Sequence, residues 1–176
     1  MIVDGKEIDV KWRFTRFYGS PYAQDRDDSW AVLKNLYNEE DIPWFIHGDF
    51  NEIMYSFEKK GGLPRDERRM EKFLNAIEEC QLNDVGFTGN WFTWERGNLP
   101  ETNIQERLDR GLANEKWLLM FPEAKIQHLS QEGRKKGRRE IALGLKLGGH
   151  WRILLWMKYK NYREWQQRIS CKSCNL

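Results

Sequence analysis

The sequence is poor in cysteine and has neither a long hydrophobic run nor a signal peptide. Its three cysteines are an odd number, so we expect no disulfide framework, and a reducing compartment fits. The longest apolar run, Ile153 to Met157, is far shorter than the roughly 18 residues that a membrane-spanning helix needs. The amino terminus lacks the apolar core of a secretion signal. The sequence therefore predicts an intracellular protein without a membrane span.

Two of the cysteines, Cys171 and Cys174, form a single C-x-x-C. A zinc site needs about four ligands, and no second pair or suitably spaced histidine lies nearby. We therefore interpret these cysteines as tail thiols rather than as a metal site.

The charge is distributed unevenly along the 176 residues, which are enough for one domain. Residues 131–176 carry 12 lysines and arginines against three glutamates, a net charge of +9. Residues 1–130 carry 17 basic against 24 acidic residues, a net charge of −7. Because composition shifts mark boundaries, we predict a folded domain over 1–130 and a basic tail over 131–176.

Hydrophobic spacing predicts alternating strands and helices in the first segment. In order, we expect a strand over 10–15, a helix over about 24–38, a buried strand over 43–46, a helix from Pro64 to about Gln81, strands over 91–94 and 104–110, a short helix over 115–120 and a last strand over 124–129. Strands of mixed direction between helices favour an α/β sandwich over a helical bundle.

Four polar residues lie at or near the ends of these strands. Tyr18 follows the first strand, Asp49 and Asn51 follow the buried strand, and Asp109 lies on the polar face of the strand over 104–110. The buried strand thus delivers a carboxylate at its carboxyl end, where functional groups commonly gather in an α/β fold.

With these residues in place, the sequence resembles the endonuclease/exonuclease/phosphatase superfamily, specifically the apurinic-type endonuclease domain of plant LINE (non-LTR) retrotransposons. The resemblance runs in family order from residue 12 to about 129. The segments that carry it are Trp12–Pro21 (WRFTRFYGSP), Trp44–Ile53 (WFIHGDFNEI), Lys60–Arg65 (KGGLPR), Phe92–Trp94 (FTW) and Ile104–Ala113 (IQERLDRGLA), with Phe121–Pro122 after them.

The resemblance implies a DNase I-like fold, here a partial four-layer α/β sandwich of two mixed sheets without the amino-terminal strands. It also implies Mg²⁺-dependent hydrolysis of DNA phosphodiesters in the nucleus, where the nick primes reverse transcription. By analogy, Asp49 would orient or deprotonate the attacking water. Any interaction of Asp49 with Mg²⁺ would be indirect, through the metal's own ligands. Asn51 and Tyr18 would donate hydrogen bonds to the phosphate, and Asp109 would orient a catalytic histidine.

The sequence departs from the family's pattern in two places. The family's metal-binding glutamate lies in a portion upstream of the strand with which this chain begins. Where the family has Ser-Asp-His-Ser-Pro after its last strand, this chain reads QEGRKKGRR over 131–139, and His128 lies before that position. We therefore expect a truncated, inactive remnant of a retrotransposon endonuclease.

The basic tail provides the nucleic-acid-binding candidates Arg134, Lys135, Lys136, Arg138 and Arg139. Apolar residues over 151–168 recur near helical spacing, which predicts an amphipathic basic helix that could contact phosphate, an anionic membrane surface or its own domain. A partly docked or disordered tail with solvated charges is the alternative.

Other interpretations stay open at this point. The chain could be a noncatalytic nucleic-acid-binding module that uses the tail, or an intact phosphodiesterase for small phosphate esters. Asp49 and Asn51 could be turn formers, Tyr18 a packing residue, and Asp109 part of a surface ion pair with a neighbouring arginine.

Aromatic and histidine side chains also have a structural interpretation. We expect the tryptophans at positions 12, 30, 44, 91, 94 and 117 to lie in the core, although Trp94 could face nucleic acid. His47 could be a ligand, but a histidine within a strand is more often structural.

Overall fold

The structure, a computed structural model, describes residues 2–4, 11–37, 42–97, 99, 101–128, 139–147 and 150–159. Its helices are α1 (Arg26–Tyr37), α2 (Glu67–Glu79) and α3 (Glu115–Met120), and 3-10 turns cover Ala23–Asp25 and Ser56–Glu58. The strands are β1 (Ile2–Asp4), β2 (Lys11–Tyr18), β3 (Trp44–Asp49), β4 (Lys59–Lys60), β5 (Leu82–Asp84), β6 (Phe87–Gly89), β7 (Trp94–Arg96), β8 (Ile104–Glu106), β9 (Asp109–Asn114), β10 (Lys125–His128), β11 (Arg139–Leu147) and β12 (His150–Tyr159).

The central sheet has the strand order β1-β2-β3-β9-β5. Strands β2 and β3 are parallel, and the other neighbours are antiparallel. All six residues of β3 are buried, as the continuous apolar run in its sequence predicts. This strand therefore runs through the middle of the fold with both faces covered.

Each face of β3 contributes to a separate core. On one face, α1 and α2 cover the sheet, and Trp30 stacks on Phe73 with ring centroids 4.6 Å apart. On the other face, Phe45 stacks on Trp117 of α3, also at 4.6 Å, and Ile126 of β10 joins the same cluster. The helices, the central sheet and a second sheet thus form successive layers.

The second sheet has the order β12-β11-β10-β6 and pairs β10 with β6 in parallel. Both large sheets are therefore mixed, which confirms the predicted α/β class. A small third sheet, β4-β8-β7, was not expected. It arises because the predicted strand over 104–110 divides at Arg107 and Leu108, whose backbones bond to Glu58 and Phe50 (3.0 and 2.9 Å). The chain there crosses from the third sheet to the central one.

Two predicted elements begin later in the structure than expected. Helix α2 begins at Glu67 rather than at Pro64, because the Asp66 side chain caps it by accepting a 3.0 Å bond from the Arg68 amide. The strand predicted over 91–94 begins only at Trp94. The predicted first helix and short third helix are confirmed, with the former preceded by a 3-10 turn.

The predicted helix over 151–168 is wrong where the structure describes it. Residues 150–159 form strand β12, which pairs antiparallel with β11, and β11 pairs with β10 of the folded domain. A short continuous apolar run such as 153–157 fits either a strand or a buried helix, and pairing with the preceding strand β11 decides between them. Residues 160–168 lie outside the described residues, and the predicted boundary at 131 stays a prediction.

Most of the predicted core tryptophans are buried. Trp12, Trp30, Trp44 and Trp117 are at most 5% exposed, but Trp91 is 46% exposed, so the expectation for that residue is wrong. Within the described part of the chain, no helix combines the length and hydropathy that crossing a membrane requires.

Gly48 allows the closest approach between β2 and β3. A Cβ atom at this position would lie 1.7 Å from the backbone oxygen of Phe17, where no side-chain movement could relieve the clash. We expect Gly48→Ala to cost about 3 kcal/mol or more of unfolding free energy, measured by urea denaturation.

Gly86→Ala is the matched control for that substitution. Gly86 has a positive φ of 80°, but nothing lies within 4 Å of the added Cβ, so only backbone strain applies. We expect a loss of about 1–2 kcal/mol there. Equal losses at both positions would contradict the steric explanation for Gly48.

Candidate active site

Three of the four predicted site residues lie in one row across the central sheet. The register pairs Tyr18 with Asp49, and Asp49 with Asp109. Paired residues on adjacent strands project from the same face, so the three side chains are neighbours. Their exposure decreases along the row: Tyr18 is half-buried, Asp49 is 7% exposed and Asp109 is fully buried.

Asn51 completes the group from the turn that follows β3. Its amide donates to Asp49 Oδ1 over 2.9 Å, and its side-chain nitrogen donates to the Gly19 carbonyl over 2.8 Å. The residue has a φ of 54°, a left-handed conformation that asparagine tolerates better than most residues. Asp49 and Asn51 thus form a turn, as the alternative interpretation held. The same bonds fix the Asn51 side chain against Gly19, the residue after Tyr18.

The backbone of Asp109 is fixed by Thr93, a residue that the sequence analysis did not single out. The Thr93 hydroxyl accepts bonds from the amides of Leu108 and Asp109, each at 3.0 Å. Complete burial of Asp109 excludes the surface ion pair considered above. Thr93 could have been found from the sequence, because it lies in Phe92–Trp94, one of the segments that carry the family resemblance.

The arginines beside Asp109 pair with other acids. Arg107 and Arg110 donate to the buried carboxylate of Glu58 at 2.9 and 2.8 Å, and Arg107 also reaches Asp84 at 2.7 Å. These partners hold the pKa of Glu58 below its ordinary value although burial alone would raise it. The strand that carries Asp109 is therefore anchored by buried ion pairs on its flank.

Glu52, directly after Asn51, forms a second buried cluster that sequence reasoning missed. Its carboxylate pairs with Arg26, with Arg65 at 3.0 Å and with Arg69 at 3.0 Å. Arg65 also reaches Glu106 at 2.7 Å. The only sequence signals were the position of Glu52 after the Gly-Asp-Phe-Asn motif and of Arg65 within Lys60–Arg65.

Two histidines near the row are buried. His47 is completely buried, and neither ring nitrogen has a hydrogen-bond partner among the residues that the structure describes. Burial, with the nearby His128 and Arg16, lowers its pKa to about 3. His128 stacks on Phe87, and its Nδ1 lies 2.8 Å from the Asn90 carbonyl. Burial lowers its pKa to about 4 despite that bond.

The described side chains do not by themselves assemble a magnesium site. No group of three or more potential ligands occurs among the residues with described side chains. The buried carboxylates of Glu52, Glu58 and Glu106 are each engaged by arginine or lysine. Asp49 and Asp109 are the two acidic members of the row. The roles that the resemblance implies for Tyr18, Asp49, Asn51 and Asp109 stay predictions.

The predicted nucleic-acid-binding residues cannot be placed against this row. Arg134, Lys135, Lys136 and Arg138 lie outside the described residues, as do both cysteines of the C-x-x-C. Arg139 is the first residue of β11, and its backbone pairs with Tyr159.

Comparison with known proteins gives a family match and a structural likeness. The profile of the Endonuclease/Exonuclease/phosphatase family matches residues 2–125. The chain is similar to the endonuclease domain of TRAS1, a telomere-specific non-LTR retrotransposon, with 13% sequence identity and a TM-score of 0.45. That match covers 79% of this chain and 53% of the other, so the chain spans about half the length of that domain. No curated protein matches the sequence.

The buried histidines predict acid sensitivity. Because their folded-state pKa values lie below the ordinary 6.5, the unfolded chain takes up these protons first. Stability is therefore complete above about pH 6.5 and falls as the pH decreases, by up to ~1.4 kcal/mol per pH unit for each histidine. Urea denaturation between about pH 7 and about pH 5 measures this slope before the carboxylates titrate.

His47→Phe tests the assignment, because it keeps a buried ring and removes the titration. We expect this variant to lose about half of the slope, whatever its absolute stability. The same slope in the variant and the original chain would show that His47 takes up its proton in the folded state.

Proposed function

We propose, from the premise that this chain belongs to the endonuclease/exonuclease/phosphatase family, that it is a retrotransposon endonuclease remnant that binds a DNA phosphodiester without hydrolysing it. The observation that carries the proposal is the row of Tyr18, Asp49 and Asp109 with Asn51 beside it. The five sequence segments described above support the retrotransposon assignment. The family's use of DNA supports the choice of substrate.

The donors and acceptors of the row suit a phosphate group. An amide nitrogen carries two N–H groups, so the bond from Asn51 to Gly19 leaves a second donor for a phosphate oxygen. The Tyr18 hydroxyl is another donor at the same edge of the sheet. The carboxylate of Asp49 can accept a proton from a water molecule beside the phosphorus.

Hydrolysis needs more than these groups. The charge that develops on the phosphate must be stabilised, usually by a metal ion or by preorganised cationic donors. The described residues do not assemble a metal site, and the sequence after β10 lacks the Asp-His pair of the family. His128 does not replace it, because its ring packs on Phe87 and its Nδ1 bonds to Asn90.

The noncatalytic binding module remains the second candidate function. The net charge of +9 over residues 131–176 favours it, because clustered cations bind nucleic acid through phosphates regardless of sequence. The small-ester phosphodiesterase is less favoured, because the missing Asp-His pair would impair that reaction equally.

We expect the purified chain not to nick supercoiled plasmid in the presence of Mg²⁺. Loss of one preorganised electrostatic group typically costs ~10²–10³ in rate, and this sequence lacks at least the family's histidine. Agarose-gel electrophoresis measures conversion to the open-circular form.

Asp49→Ala is the control for contaminating nucleases. If the original chain nicks the plasmid and this variant does not, the site is active and the inactive-remnant proposal is wrong. Equal weak nicking by both proteins would identify a contaminant and leave the expected result intact.

We expect DNA to bind through two regions, the basic residues over 134–139 and the site around Asn51, and these contributions can be measured separately. Replacing Arg134, Lys135, Lys136, Arg138 and Arg139 by glutamine should make the slope of log affinity against log salt shallower by up to about 4.5, because each lost phosphate contact removes about 0.9. Fluorescence anisotropy with a labelled duplex measures the slope.

The same titration followed by NMR reports on the site. The side-chain amide signal of Asn51 should shift on addition of the duplex, in the original chain and in the glutamine variant at higher protein concentration. If no shift occurs while DNA binds, the basic segment alone binds, and the second candidate function is correct.

A further inference from the structure

The row of site residues depends on two loops that lie against each other. The first, residues 19–21, follows Tyr18, and the second, residues 50–53, contains Asn51. The Gly19 amide donates to the Asp49 carbonyl over 2.8 Å, and the Asn51 side chain donates back to the Gly19 carbonyl. A Cβ atom at Gly19 would lie 2.3 Å from the backbone oxygen of Phe50, so the two loops are in direct contact.

Arg26, the first residue of α1, connects the two loops through its guanidinium. Its Nε and Nη2 donate to the carbonyls of Ser20 and Pro21, at 3.2 and 3.4 Å, in the first loop. Its Nη1 donates to the carboxylate of Glu52 in the second loop. The side chain is 9% exposed, so water competes little for these bonds. A planar group with several fixed donors can make such contacts together, whereas an ammonium cannot.

Glu52 receives these bonds and fixes its own loop as well. Its Oε1 accepts from the Ile53 amide over 3.1 Å, and Arg69 of α2 donates to Oε2 over 3.1 Å. Arg65, from the segment before α2, lies 3.0 Å from Oε1. The residue is 1% exposed. One carboxylate therefore joins the two site loops to helices α1 and α2.

We propose that Glu52 is a positioning residue for the phosphodiester site. Through Arg26 it holds the Tyr18 loop against the Asn51 loop, so that both phosphate donors stay in place. Glu52 itself contacts neither substrate nor reacting atoms. Removing the carboxylate would leave buried arginines without their partner and lower the stability of the whole fold, so the positioning role is tested by comparing the loops with the sheet. The expected effect of Glu52 on DNA binding rests on the proposed function. The expected effect on contact between the two loops rests on the hydrogen bonds alone.

Glu52→Gln and Arg26→Lys test the structural part. The first keeps the shape of the side chain and removes its charge, and the second keeps a charge and removes the fork of donors. Hydrogen exchange of the Gly19 amide reports contact between the loops, and exchange of the Leu112 amide in β9 reports the stability of the sheet. We expect exchange at Gly19 to accelerate at least about tenfold more than exchange at Leu112 in both variants.

Glu58→Gln is the matched control, because Glu58 is also 1% exposed and accepts bonds from two arginines, yet none of its bonds joins the two loops. A role limited to stability would accelerate Gly19 and Leu112 by the same factor, and that result in Glu52→Gln would overturn the proposal. Equal loosening of Gly19 by Glu58→Gln would overturn it too. If Glu52→Gln does not fold, Arg26→Lys decides by the same comparison.

A short DNA duplex, added while the Asn51 side-chain amide is observed by NMR, tests the functional part. We expect Glu52→Gln to weaken the binding detected at this signal at least about tenfold, while Glu58→Gln leaves it within about threefold. A shift in the original chain with unchanged affinity in Glu52→Gln would overturn the positioning role. Absence of any shift in the original chain would instead overturn the proposed function, and the exchange result at Gly19 would still decide whether Glu52 joins the loops.

Discussion

The parallel pairing of β2 with β3 is the constraint on which the candidate site depends. It requires Gly48 to lie against the Phe17 backbone, and it fixes the register that places Tyr18 beside Asp49. The antiparallel partner β9 then adds Asp109 to the same row. Because side chains alternate between the faces of a sheet, a slip of one residue in either pairing would move part of the row into the opposite core. The site is thus a consequence of the register of three strands.

Buried charge surrounds this row, and its acids fall into two groups. Glu52, Glu58 and Glu106 are each held by arginine or lysine and connect distant segments. Asp49 and Asp109 lie in the row itself, where Asp49 accepts a backbone bond from Asn51. The first group fixes the backbone on both sides of the row, and the second offers chemistry. A family resemblance that assigns roles to motif residues overlooks the first group, although one of its members, Glu52, connects the two loops of the site through Arg26.

The proposed separation of family membership from activity has a physical reason. Orientation of a phosphate needs only hydrogen-bond donors at fixed positions, a role that the proposal gives to Tyr18 and Asn51. Stabilisation of the charge that develops in hydrolysis needs a metal ion or a cation at the same point, and the described side chains form no group of three or more metal ligands. The phosphate attraction that we propose for the basic residues after Gln131 would depend on charge rather than on a precise fold.

The sequence by itself determined the features that local pattern controls. The buried strand β3, helix α3 and the α/β class followed from hydrophobic spacing, and strand ends and motif residues marked Tyr18, Asp49, Asn51 and Asp109 as candidates. The register of β2, β3 and β9 then brought Tyr18, Asp49 and Asp109 together. Tertiary structure alone decided the division of the strand at Arg107, the strand over 150–159 in place of a helix, and the ion pairs of Glu52 with Arg26, Arg65 and Arg69. The division at Arg107 and the ion pairs of Glu52 depend on partners far away in the sequence, and an unpaired polar group or charge is costly away from water. The strand over 150–159 depends on its pairing with β11, which in turn pairs with β10.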